Sequence, residues 1–117
     1  MKPSSAKQKG RLHQQTVRDW IIKAFNLHPD DVQSRSMGAQ GEDIVLSPVA
    51  RAKVPVSIEC KSKAKYAVYK DYEQAKGNNP DNENYFSLLV IKQNQSKPLV
   101  VIDAEDFFCH IMSRITW

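Results

Sequence analysis

The sequence predicts one α/β domain built in the order helix, several strands, helix, two strands, helix. Its 117 residues, 41% apolar and 26% charged, have the make-up of an ordinary globular chain with one modest core. Apolar residues recur at helical spacing near both ends of the chain, and short apolar runs bounded by turn residues fill its middle. Residues 1–117 are read as a single domain in which 1–6 form a flexible tail.

From Leu12 onward, Val17, Trp20, Ile21, Ala24 and Phe25 make the buried stripe of a first helix whose polar face carries Arg11, Gln14, Arg18 and Lys23. Trp20 lies on that stripe and is expected in the core, not as a platform for stacking bases. The helix ends before Pro29, because a residue preceding proline avoids the helical region. Residues 32–37 are a strand candidate, and Gly38 and Gly41 bracket the turn after it. A strand over 43–46 follows, then Ser47 as a cap with Pro48 at the first helical position, giving a helical turn through about Lys53. Residues 54–61 form the next strand. So brief a connection makes these two strands antiparallel neighbours, since a parallel pair needs a crossover of about a dozen residues or more. Val68, Tyr72 and Ala75 mark one face of a second main helix closed by Gly77 and Asn78. Strands over 85–91 and 99–102 are joined by a hairpin-like turn at 93–98. Asp103 then caps a last helix whose buried stripe is Phe107, Phe108, Ile111, Met112 and Ile115.

Several functional classes are disfavoured. The apolar runs are about four residues long, far below the roughly 20 that span a bilayer, so no membrane role is expected. The N-terminus has no apolar segment of the kind that directs secretion, and two cysteines do not make a disulfide framework. A reducing cytoplasm is the expected home. Charge is more informative by position than in sum: residues 1–23 hold six Lys/Arg against one acid, and residues 51–76 hold seven against three. Two basic blocks in a chain of net charge +4 fit a polyanionic partner, although a merely solvated surface accounts for the charge about as well.

The chemistry gathers where the second basic block meets the strand over 54–61. Side chains alternate along a strand, so Ile58 and Cys60 share one face while Glu59 and Lys61 share the other. On the neighbouring strand Ile44 and Leu46 alternate with Asp43 in the same way. Both apolar faces can meet the core together, which leaves Asp43, Glu59 and Lys61 converging on the opposite side. Two carboxylates, with the Cys60 backbone carbonyl as a further oxygen, suit Mg²⁺ or Mn²⁺. A cation of that kind can activate phosphodiester hydrolysis, and Lys61 is placed to orient the attacking water or hold a phosphate oxygen. Taken singly, the three residues are more readily ordinary exposed strand residues, the acids in ion pairs with Lys61 or Lys63. Glu42, beside Asp43, should point to the other face.

The run GEDIVL, eleven residues, then IECKSK resembles the PD-(D/E)xK nuclease superfamily, with an acid on one strand and Glu-x-Lys on the next. KGRLHQQTVRDW, SMGAQGEDIVLSP, YEQA and SKPLVVIDAEDF look like small phage-associated nucleases of that superfamily, similar in layout to archaeal Holliday-junction resolvases. The resemblance implies a restriction-endonuclease-like central mixed sheet flanked by helices. It also implies a Mg²⁺- or Mn²⁺-dependent endonuclease acting on branched or duplex DNA, a homodimer, and a setting in a bacterial or phage-infected host cell. By it Asp43 and Glu59 bind metal, Lys61 is catalytic, and Gln74 sits near the metal or the scissile phosphate. Resolvases of this kind usually carry a glutamate on the first helix, where this chain has Gln14 and Gln15 as the site candidates. Arg11, Arg18, Lys63 and Lys65 are the candidate DNA contacts. The alternative is a catalytically inactive DNA-binding module on the same scaffold.

The other polar residues do not form sites. His13, His28 and His110 are far apart in sequence, and Cys109 beside His110 lacks the spacing of a zinc motif. Cys60 is expected as a small buried hydrophobe. The apolar residues of 88–91, 99–102 and 107–115 exceed what so short a chain covers alone, which adds to the expectation of a homodimer.

Overall fold

A computed structural model describes residues 3–35 and 40–115. Helix α1 spans Pro3–Phe25, and a 3₁₀ turn at Pro29–Asp31 leads into strand β1, Val32–Ser34. Strand β2 is Ile44–Leu46, helix α2 Pro48–Lys53, strand β3 Val56–Ser62 and helix α3 Val68–Asn78. Strands β4, Phe86–Lys92, and β5, Leu99–Val101, precede a C-terminal π-helical segment, Asp106–Ile111, and a 3₁₀ turn, Met112–Arg114. The five strands form one mixed sheet in the order β1-β2-β3-β4-β5. Strands β1, β2 and β3 are antiparallel neighbours, β3 and β4 are parallel and in register from Val56↔Phe86 to Ser62↔Lys92, and β5 returns antiparallel to β4. The α/β class and the sheet flanked by helices are as expected from the sequence.

The crossover between β3 and β4 is α3, which is why this pair alone is parallel: only a connection of that length turns the chain back to start a second strand from the same end. Alternation along β3 then sorts the two faces. Ile58 is buried with Ile44, Val90 and the α1 residues Val17 and Ile21 in the main core. Glu59 faces the other way, under α3. Ser47 accepts from the Ala50 amide at 3.2 Å and Pro48 opens α2, the N-terminal chemistry expected from the sequence. Asp103 likewise accepts from the Asp106 amide at 3.0 Å.

Three expectations need correction. Helix α1 already includes Pro3–Ala6, so the tail expected over 1–6 is helical from Pro3. Trp20 and Phe25 are 52% and 44% exposed, not core, because β1 and β3 contact only the side of α1 that bears Val17 and Ile21. In the C-terminal segment Phe107, Phe108 and Ile115 are also exposed, since β5 is too short and too near the edge to cover them. Gly38 lies outside the described residues. Gly41 does make the expected turn: its φ of +100° favours glycine, and an added Cβ would come within 3.3 Å of the Arg35 guanidinium.

A buried ion pair fixes the entry to β2. Glu42 is 5% exposed and pairs with Arg51 of α2, which also donates to the Val56 carbonyl and lies 4.5 Å over the Tyr85 ring. Arg35 donates to the Glu42 carbonyl at 2.7 Å. Glu42 thus points away from Asp43, as the alternation predicted. Arg51→Met leaves the Glu42 carboxylate without its cation and is expected to destabilise the fold by about 3 kcal/mol in urea denaturation, near the lower end for a broken buried pair. A loss under about 1 kcal/mol counts against this role.

Candidate active site

Asp43 stands one residue before β2 yet is held as though within the sheet. Its amide donates to the Ile58 carbonyl at 2.9 Å, and its own carbonyl accepts from the Arg35 amide at 2.7 Å. Its carboxylate reaches across to β3, where Oδ2 accepts from the Cys60 amide at 2.7 Å. Cys60 therefore meets Asp43 through its N–H, whereas the sequence reading used its carbonyl as a metal ligand.

Glu59 is 7% exposed, and its two oxygens have different partners: Oε2 accepts from the Asn78 side-chain amide at 3.0 Å, and Oε1 lies 4.0 Å from Lys61 Nζ. Lys61 is the only cation paired with Glu59 among the described residues. Asp43, Glu59 and Lys61 therefore converge as the alternation predicted. The two carboxyls interact directly, each entering the other's ionisation.

Burial is the largest influence on both acids and raises both pKa values, that of Glu59 to about 7. The Cys60 N–H opposes the rise at Asp43, and the Asn78 amide opposes it at Glu59, where the charge of Asp43 pushes further upward. Near neutral pH Glu59 holds back part of its negative charge, because burial and the Asp43 charge outweigh the nearby Lys61. Such a donor set fits a divalent ion: hard oxygens, two carboxylates, and nearby cations that do not offset their burial. Among the described residues no group of three or more His, Cys, Asp or Glu side chains gathers. Two carboxylates alone still suit Mg²⁺, which commonly keeps waters and takes phosphate oxygens in its other positions.

The remaining candidates separate. Gln14 is buried on α1 and engaged, while Gln15 is exposed. Gln74 is exposed on α3, and the amide that reaches Glu59 belongs to Asn78, one turn further on. In the sequence Asn78 marks only the end of that helix. Its spacing from the buried Asp71 and Ala75 puts it on the sheet-facing side of α3, which is the signal that identifies it. Lys63 pairs with buried Asp71 at 3.0 Å and lies over the Tyr66 ring. Arg18 donates to the Val32 and Pro29 carbonyls at 2.7 and 3.0 Å, tying α1 to the start of β1. Arg11 and Lys65 are exposed. Cys60 packs against the core, and burial raises its thiol pKa above the ordinary range, consistent with an inert side chain.

Tyr66, unassigned from sequence, clasps the ends of β3 and β4. Its hydroxyl meets the Lys61 and Lys92 carbonyls at 2.8 and 2.6 Å and accepts from the Lys92 and Lys63 amides. It thereby fixes the backbone from which the Lys61 side chain departs.

The raised Glu59 pKa has a consequence for stability. Between about 4.5 and 7 the folded chain binds more protons than the unfolded one, so stability is greatest below that window and falls as pH rises through it. Metal-free protein should therefore be more stable at pH 5 than at pH 8 by roughly 1–2 kcal/mol after allowance for solvent screening. Glu59→Gln should remove most of that slope in thermal melts, and an unchanged slope contradicts the assignment. No family model, curated protein or solved structure matches this chain, so the functional reading rests on the chain's own residues.

Proposed function

We propose that the chain is a metal-dependent DNA endonuclease in which Asp43 and Glu59 hold Mg²⁺ or Mn²⁺ and Lys61 assists hydrolysis. The observation that carries this reading is the meeting of the buried Glu59 carboxylate with the half-buried Asp43 carboxylate just before β2, both with raised pKa, beside Lys61. A charge arrangement that disfavours the empty state is poor structural glue, but it is what a cation site requires. A divalent ion bound there would supply Lewis-acid polarisation of the scissile phosphate and of the attacking water. Asn78 and the Cys60 amide hold the two carboxylates in fixed orientations, so little reorganisation is needed when substrate arrives. Lys61, anchored through the Tyr66 contact to its carbonyl, presents its ammonium beside Glu59 to orient water or to neutralise a non-bridging phosphate oxygen. Water adds to phosphorus in line, the bond to the ester oxygen breaks, and that oxygen leaves as an alcohol once protonated.

DNA is the proposed substrate because the net charge of +4 and the exposed basic residues, Arg11 and Lys65 among them, suit a phosphate backbone. The exposed Leu99, Val100 and Phe108 support a homodimer in this reading. No described helix is long and apolar enough to cross a membrane. One observation favours a second reading, an inactive DNA-binding module: no third carboxylate joins the pair among the described residues, and Gln14 and Gln15 stand where the resolvases that the sequence resembles carry an acid.

Cleavage of linear duplex, single-stranded, flapped and four-way-junction DNA in Mg²⁺ or Mn²⁺ separates the two. The nuclease reading predicts cutting that drops by about 10²-fold or more in Glu59→Ala and in Asp43→Asn, with both variants folded by circular dichroism. Salt-sensitive binding without hydrolysis on any substrate supports the inactive module instead.

A further inference from the structure

A second concavity lies on the opposite face of β3 from Glu59. One side of α1 presents Lys9, His13, Thr16 and Trp20, successive residues three or four apart, towards Ser62, Lys92 and the turn between β4 and β5. The cleft encloses about 510 Å³, within the range of about 300–1,000 Å³ usual for small-ligand sites. Its position is set by the chain: Ser62, in its wall, directly follows Lys61.

The chemistry of the walls is selective. Trp20 offers a half-exposed indole, and Leu12 beside it is 52% exposed. Among the described residues no acidic side chain lines the cleft. Lys9 and Lys92 form no ion pair among the described residues; their ammonium groups meet only neutral oxygens, of Asn94 at 3.1 Å and Gln93 at 3.4 Å. Beneath them His13 is 3% exposed, and its Nε2 must carry the proton, because it meets the Val90 carbonyl, which can only accept, at 2.9 Å. The wall is thus aromatic and apolar, with two uncompensated cations. The ligand that complements it is flat, apolar on its face and attached to anionic groups.

We propose that this cleft takes an unpaired base of a DNA strand, stacked on Trp20, while neighbouring phosphates meet Lys9 and Lys92. This deepens the nuclease reading and rests on it for the choice of DNA over other anions. A paired base in a continuous duplex has both faces covered by its neighbours. The cleft therefore favours strands with an unstacked nucleotide, as at a flap, a frayed end or a branch point.

The test is fluorescence anisotropy with the full chain in EDTA, so that no cutting occurs, using labelled oligo-dT of about 12 nucleotides and a blunt duplex of equal length. Trp20→Ala is expected to weaken single-strand binding by about tenfold, the size of one base stack, and to lower the preference for single strand over duplex by a similar factor. Trp20→Phe, which keeps an aromatic face, should restore most of it. Circular dichroism melts establish that both variants are folded. Equal losses on both DNAs, no loss in Trp20→Ala, or no binding to single strand by the unaltered protein would overturn the proposal. Trp20-dependent binding by a chain that cuts nothing sinks only the nuclease reading. Cutting that is indifferent to Trp20 sinks only this one.

Discussion

Strand β3 is the constraint on which the rest of the molecule depends, because its alternating side chains must satisfy two different surroundings at once. Ile58 belongs to the apolar core under α1, and Glu59, the next residue, is buried under α3 with a hydrogen bond from Asn78. A slip of one residue would put the carboxylate into the core and the isoleucine beneath α3. The parallel register with β4, continuous over seven residue pairs, and the Tyr66 hydroxyl at the strand ends oppose such a slip. The same register that protects the core therefore fixes where the two acids meet.

Holding two carboxylates side by side, one of them buried under α3, is unfavourable in itself, and the neighbourhood limits that cost only in part. Each carboxylate receives one strong hydrogen bond, and Lys61 stands at 4.0 Å, near the limit for an ion pair. Glu42, by contrast, is matched closely by Arg51. Two adjacent acids thus have opposite fates: Glu42 is neutralised within the fold and secures the entry to β2, while Asp43 has no ion pair among the described residues. That contrast distinguishes a structural ion pair from a site awaiting a ligand.

Much of this arrangement was legible in the sequence because it follows from alternation. The faces of Ile44, Asp43, Ile58, Glu59 and Lys61, the Ser47 and Asp103 caps, the antiparallel β2–β3 pair and the final hairpin all follow from period-two patterning or local capping chemistry. What sequence missed depends on tertiary contact. Trp20 fits the apolar stripe of α1 as well as Val17 does, but the sheet is too narrow to cover both edges of that stripe. Asn78 was hidden by its place at a helix end, and Gln74 was favoured by resemblance although α3 turns it to solvent. Arg18 and Lys63 read as free cations, but one is held by backbone carbonyls and the other by Asp71.

In the proposed nuclease Asp43 and Glu59 together form a divalent-cation site. The most direct test of that site is Mn²⁺ binding followed by electron paramagnetic resonance at pH 6 and pH 8, with proton release measured in parallel. Binding should weaken at pH 6, where Glu59, with a pKa of about 7, must give up a proton as the ion enters. Asp43→Asn and Glu59→Gln should each abolish that binding. Binding that is independent of pH and survives both substitutions would contradict the site.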